Sequence, residues 1–259
     1  MSKEKKNIDP KFQSNPELIG KLQREMWYPT PIWFVDFEDS EQINKKLRKL
    51  ILDWKKRDEK GIVRSNSLGW HSAVDMHHRN EYNFFTRKLF EYVNQVLKDN
   101  GGHPDFEAWC DNMWANTNQK YAHNRNHIHP GGLFSGVYYV QSPKECGRIW
   151  FTDPRTEAHM ISMNYGERPP YTWREVFYEP IPGRLIIFPS WLTHEVEPNM
   201  TNATGDDEHR ISISFNFGQR LQMGKKGMKL GKGHDSGGGL FMDNLKDDEK
   251  LTEQSKKDN

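Results

Sequence analysis

The chain has 259 residues, enough to bury one sizeable core, and its 37 Lys and Arg against 36 Asp and Glu give a formal net charge of +1. That balance supplies no field for phosphate backbones or an anionic bilayer, so neither nucleic acid nor membrane is expected as a partner. Two cysteines, Cys110 and Cys146, beside 9 Trp, 9 Tyr and 14 Phe exclude a disulfide scaffold and leave aromatic packing to hold the core. No signal-peptide core and no run of eighteen apolar residues occurs, which predicts a soluble protein of a reducing cytoplasm. Mean hydropathy is −0.94, low because polar residues gather at the ends and in loops such as Asn199 to His209.

Residues 1–26 read as a loosely attached leader, and PTPIWFVDF, from about Tyr28, reads as a first strand. Ser40 offers an N-cap for a helix whose stripe is Ile43, Leu47, Leu50, Ile51 and Trp54. A turn-rich linker, GIVRSNSLGWHSAVDMHHRN, follows. A second stripe, Phe85, Leu89, Val93, Val96 and Leu97, stops at Asn100-Gly101-Gly102. Residues 27–104 are therefore expected to form a strand plus helices packing on what comes next. From Asp105 the runs FEAWCDNMWAN, FSGVYYV, GRIWFTD, GRLIIFP and RISISFNFG are short and β-type, divided by Pro, Gly and Asn. They predict an α+β, mainly β chain with a sandwich or barrel over 105–218. Residues 219–259 are rich in Gly, Lys and Asp and read as a flexible tail, its basic stretch Lys225 to Lys232 as a solvated segment.

In YAHNRNHIHPGGLFSGVYYV, His127 and His129 stand two apart, so a strand points both to one face. Such a pair alone is weak evidence for a metal. Sixty-five positions later, PGRLIIFPSWLTHEV brings His194 just past a strand, which is what a barrel site needs from its far side. Neutral imidazoles suit iron, zinc, copper or nickel, and three protein ligands leave positions open for chemistry. Sixteen residues further, RISISFNF places Arg210, Ser212, Ser214 and Asn216 on one face and Ile211, Ile213, Phe215 and Phe217 on the other. An arginine inside a barrel can fork onto a carboxylate while a hydroxyl two residues along adds a bond.

Together the HxH pair, SGVYYV, GRLIIFPSWLTH and RIS resemble the iron(II)- and 2-oxoglutarate-dependent dioxygenases, in particular a microbial and phage branch of 2OG-Fe(II) oxygenases related to prolyl hydroxylases. The resemblance covers roughly half the chain. It implies a double-stranded β-helix, or jelly roll, using Fe(II), 2-oxoglutarate and dioxygen to hydroxylate a small molecule or peptidyl residue. His127 and His194 would be iron ligands, Arg210 and Ser212 would hold the cosubstrate, and Tyr138 or Tyr139 would add a hydroxyl to the same carboxylate. The sequence departs from the family at residue 129, where Asp or Glu is usual and His stands. His129 as third ligand is preferred for its spacing. Asp153, in GRIWFTDPR, is the alternative, with His129 then supporting a ligand.

Phe134, Trp150 and Trp191 lie near these motifs and are candidate pocket walls, while His71, His77, His78, His123, His159 and His209 are expected at the surface or core edge. The GWHSAVD segment and the insertion from Pro154 to Tyr178 would choose the substrate. A cupin-like metal protein, which GRLIIFPSWLTHEVEPN also resembles, would keep the histidines and need no Arg210. Pairing of barrel edges would make a homodimer, and in a phage-encoded protein the compartment would be the host cytoplasm.

Overall fold

The computed structural model describes Leu22, Arg24 and residues 26–222. Nearly all of the expected leader and of the expected tail, Lys225 to Lys232 included, lie outside the described residues. A first strand, β1 (Trp33–Asp36), leads into helix α1 (Ser40–Arg57). Ser40 is the first helical residue and Asp39 occupies the cap position without a capping side-chain bond. Its carboxylate is engaged instead by Lys88 of the second helix. Short strands β2 (Asn66–Ser67) and β3 (Trp70–His71) precede α2 (Asn83–Asp99). On α1, Ile43, Leu47, Ile51, Leu52 and Trp54 are buried, while Leu50 is only partly covered. The Phe85, Leu89, Val93, Val96 and Leu97 stripe of α2 is buried throughout.

The β region follows as β4 (Phe106–Asn118), β5 (His123–His127), β6 (Phe134–Gln141), β7 (Ile149–Thr152), β8 (Glu175–Tyr178), β9 (Arg184–Pro189), β10 (His194–Val196) and β11 (Arg210–Leu221). Two sheets result, one in the order β1-β9-β6-β11-β4-β3 and the other β2-β5-β10-β7-β8. From β4 onward the chain passes back and forth between them, which makes the two-sheet jelly roll. Strands β6 and β11 pair antiparallel, with Ser212 opposite Tyr139 and Asn216 opposite Ser135. In the second sheet β10 lies antiparallel to both β5 and β7, with His194 opposite His127. The first strand, β1, pairs antiparallel with β9 and so forms an edge of the first sheet.

Strand alternation divides the interior. Tyr138, Val140, Leu185, Ile187, Ile211, Ile213, Phe215 and Phe217 pack with the buried stripes of α1 and α2, whereas Val137, Tyr139, Ile186 and Phe188 meet Ile149, Phe151 and Leu192 of the other sheet. One sheet is thus covered by helices on one face and by the second sheet on the other. Gly136 sits where no side chain fits: a Cβ there would lie 2.3 Å from Phe215 Cζ and 2.6 Å from the Ile186 carbonyl. Gly136→Ala is expected to lower unfolding free energy by about 1–3 kcal/mol through overpacking, read as a lower urea midpoint with an unchanged slope.

Candidate metal centre

His127 is the last residue of β5 and His194 the first of β10, and the two are direct cross-strand partners. His129 lies beyond β5 at the Pro130-Gly131-Gly132 bend, where Gly131 takes φ 91°. Its backbone N–H donates to the Ser190 carbonyl at 2.9 Å, pinning this bend beside the turn into β10. The three rings consequently converge, with centroids 5.0 Å apart for His127–His129, 4.3 Å for His127–His194 and 5.0 Å for His129–His194. One nitrogen from each lies within 4.8 Å of the other two, a spacing that a single ion can bridge after small side-chain movements.

The Nδ1 atoms show how the rings are oriented. His127 Nδ1 lies 2.6 Å from the Arg125 carbonyl and His194 Nδ1 lies 2.9 Å from the Leu192 carbonyl. His129 Nδ1 meets Asn216 Oδ1 at 2.5 Å. Carbonyl and amide oxygens only accept, so each Nδ1 carries the proton and each Nε2 keeps its lone pair. A metal needs that tautomer. Burial depresses all three imidazole pKa values, that of His194 to about 3 with further lowering from His127. The rings are therefore neutral at pH 7 and ready to ligate.

The same depression sets the acid behaviour of the metal-free protein. Below the ordinary histidine value of 6.5, the unfolded chain takes up a proton that the folded site refuses, so stability falls as pH drops towards about 3. His194 alone is expected to cost about 2 kcal/mol between pH 7.5 and pH 5, measured by urea unfolding at each pH. An unchanged midpoint would contradict this.

Arg210, the first residue of β11, is 2% exposed. Its Nη1 donates to the Cys146 carbonyl and, at 3.0 Å, to that of Glu197. Gly147 permits this approach, since a Cβ there would fall 2.9 Å from Nη1. Nη2 is buried with no hydrogen-bond partner. The nearby Glu197 carboxylate is already taken by Arg148 and Trp150, and no ion pair joins Arg210 to a carboxylate among the described residues. A buried cation held only by carbonyls has capacity left for an anion. Arg210, Ser212, Tyr139 and the three histidines line one cavity of about 510 Å³.

Several sequence expectations end elsewhere. Tyr138 points to the helices, where its hydroxyl donates to Asn44 at 2.8 Å, so of the adjacent tyrosines only Tyr139 faces the cavity. Asp153 stands outside the histidine cluster, because Arg155 forks onto its carboxylate and His159 lies 3.1 Å away. Phe134 packs edge-on to Trp33 in the helix-side core. Trp150 faces outward, donating to Glu197 under Arg148, and Trp191 is 51% exposed in the turn before β10. None of those three aromatics lines the cavity.

The walls are instead Trp114, His71, Asn112, Asn116, Asn124 and Arg64, among others. His71 is buried, contrary to expectation, and stacks on Trp114 at 5.2 Å with the rings 9° from parallel. His209 is buried too, with Lys55 Nζ 3.2 Å from its Nε2. The alternation NMWAN in β4 was a signal for the wall, since Asn112, Trp114 and Asn116 share a face, but a strand pattern does not name its neighbour.

Residues 112–216 match the family model described as "Putative 2OG-Fe(II) oxygenase". No curated protein matches the chain. Among solved structures, the chain resembles a Trichoplax adhaerens prolyl hydroxylase in complex with a hypoxia-inducible factor peptide fragment, at 13% identity and TM-score 0.50, covering 72% of this chain and 82% of that one. It also resembles the non-heme α-ketoglutarate-dependent carbocyclase SnoK of nogalamycin biosynthesis, at 12% identity and TM-score 0.51, covering 73% and 79%. A Pseudomonas putida prolyl-4-hydroxylase aligns at 16% identity and TM-score 0.46, over 73% and 92%. The family match spans the strands that carry the three histidines and Arg210, so over residues 112–216 this chain is similar to the iron(II)- and 2-oxoglutarate-dependent oxygenases.

Proposed function

We propose that the protein is a 2-oxoglutarate-dependent hydroxylase of a small molecule or peptidyl residue, with His127, His129 and His194 as the Fe(II) ligands. The single observation that carries this reading is the pairing, in one cavity, of three Nε2-directed imidazoles with a buried arginine that has an unpartnered Nη2. Donor chemistry fits both groups: neutral imidazoles suit Fe(II), and a guanidinium beside a serine hydroxyl suits a carboxylate. Asp153, held by Arg155, is left out of the ligand set.

Held there, Fe(II) would activate dioxygen, the oxidant, with 2-oxoglutarate giving up two electrons as it is converted to succinate and carbon dioxide and the hydroxylated substrate giving up the other two. The chain's own part is placement. Arg210, aided by Ser212 and Tyr139, takes the far carboxylate of 2-oxoglutarate and so directs the 2-oxo acid end towards the histidines. Phe188, Val137 and Ile149 form an apolar wall of the cavity and exclude water from the reacting end. A cupin-like metal protein would give Arg210 no partner to hold, which is why the buried guanidinium favours the oxygenase reading.

The test is to add Fe(II) and 2-oxoglutarate anaerobically to metal-free protein and follow the weak visible charge-transfer band. A band requiring both additions is expected. Iron binding without any response to 2-oxoglutarate would move the protein to the cupin-like class, and absence of metal binding would overturn both.

A further inference from the structure

We propose that Asn216, oriented by Asn112, is the positioning residue that makes His129 a metal ligand. This rests on the three-histidine reading above and adds the device that fixes the third ring. The Nδ1 atoms of His127 and His194 are held by the main-chain carbonyls of Arg125 and Leu192, each two residues upstream. Those acceptors survive any side-chain substitution. His129 breaks the pattern, because its Nδ1 is held by side chains alone: the Asn216 amide oxygen, 87 residues further along the chain at 2.5 Å, and the more distant Ser135 hydroxyl at 3.0 Å.

An asparagine can turn either its oxygen or its nitrogen to a neighbour, and the surrounding bonds decide which. Asn216 Nδ2 donates to Asn112 Oδ1 at 2.7 Å, so Oδ1 is the end that faces His129. Rotating the amide would set two acceptor oxygens against each other at Asn112. Ser135 Oγ sits 2.7 Å from Asn216 Oδ1 and 2.8 Å from Ser190 Oγ, and therefore supports the oxygen from the side. A proton is thereby fixed on His129 Nδ1, and its Nε2 lone pair points towards the other two rings.

Asn216 lies on the same face of β11 as Arg210 and Ser212, and all three line the cavity. One strand therefore positions both the cosubstrate carboxylate and the third ligand. Asn216 is also neutral, and no Asp or Glu lines the cavity, so the positive charge of a bound ion is left for the anionic cosubstrate to offset.

The experiment compares the full chain with Asn216→Leu, which removes the amide acceptor and leaves only the Ser135 hydroxyl at 3.0 Å, Asn216→Asp, which keeps an acceptor, and Asn112→Ala, which frees the amide to rotate. Histidine-selective nitrogen NMR on metal-free protein reports the tautomer of each ring, and anaerobic competition against a chelator reports Fe(II) affinity. In Asn216→Leu the Nδ1-protonated population of His129 should fall while His127 and His194 keep theirs, and affinity should drop about 10–100-fold. Asn216→Asp should retain the tautomer and most of the affinity. Asn112→Ala should shift the His129 tautomer in the same direction as Asn216→Leu, by less.

An unchanged His129 tautomer in both Asn216→Leu and Asn112→Ala would overturn the proposal, as would an unchanged affinity in Asn216→Leu. If Asn216→Leu does not fold, Asn112→Ala decides by the same two readouts. Wild-type protein that binds no Fe(II) would sink the oxygenase reading, whereas the metal-free tautomer comparison judges Asn216 separately.

Discussion

Fe(II) added without oxygen should raise the thermal midpoint of the metal-free protein by roughly 5–10 °C, and His194→Ala should abolish the rise. An ion at about 100 times its dissociation constant stabilises the state that binds it by about 2.7 kcal/mol. For a folded unit of some 200 residues, each kcal/mol moves the midpoint by about 2–4 °C. His194 is the ring to remove because it is 4% exposed, lies opposite His127 in the sheet and comes from the far strand of the cluster. Two histidines from one short segment cannot surround an ion. A chelator should reverse the shift in the wild type and leave the variant unmoved. Without metal, the variant also loses the share of acid sensitivity attributed above to His194, so its stability should fall between pH 7.5 and pH 5 by about 2 kcal/mol less than that of the wild type, the remainder coming from His127, His129 and the other buried imidazoles. A full metal-induced shift in His194→Ala would remove this residue from the ligand set.

Arg210→Ala should weaken 2-oxoglutarate binding by about 100-fold or more. Two charge-assisted bonds from a guanidinium fork are worth about 3 kcal/mol together, and every 1.4 kcal/mol is about tenfold in affinity. The variant also strips the Cys146 and Glu197 carbonyls of their shared donor, at a further cost of about 2–4 kcal/mol in stability. Arg210→Lys separates the two effects. It keeps the charge and loses the planar fork, so it should fold more stably than Arg210→Ala and still bind the cosubstrate about tenfold more weakly than wild type. Anaerobic titration of the Fe(II) protein with 2-oxoglutarate measures the half-saturation point, and circular dichroism checks the fold. Equal half-saturation in wild type and Arg210→Lys would show that the fork plays no part.

The motifs of the centre were legible because they depend on local periodicity. HIH fixes two rings to one side of a strand end, and RISISFNF separates a polar face from an apolar one whatever lies nearby. The helical stripes of α1 and α2 could be read for the same reason. Legibility failed wherever the answer depended on a distant neighbour. Tyr138 and Tyr139 are adjacent and point oppositely, and the sequence offered no way to tell which faces Arg210. The pairing of Ser212 with Tyr139 settles it. Asp153 looked available as a ligand until Arg155 and His159 were seen to occupy it.

By itself, then, the sequence determined which residue types stand on which face of each strand, and its HxH, distant His and Arg-x-Ser spacing carries the resemblance to the iron(II)- and 2-oxoglutarate-dependent oxygenases. Only the tertiary structure decided which faces meet. It set Trp150 outward, brought His71 and Trp114 to the cavity wall and placed Asn216 against His129. Side-chain alternation is a property of a few consecutive residues, whereas strand order and cross-strand register arise from pairings between segments as far apart as β1 and β9, chosen by burial of the whole core rather than by any local pattern.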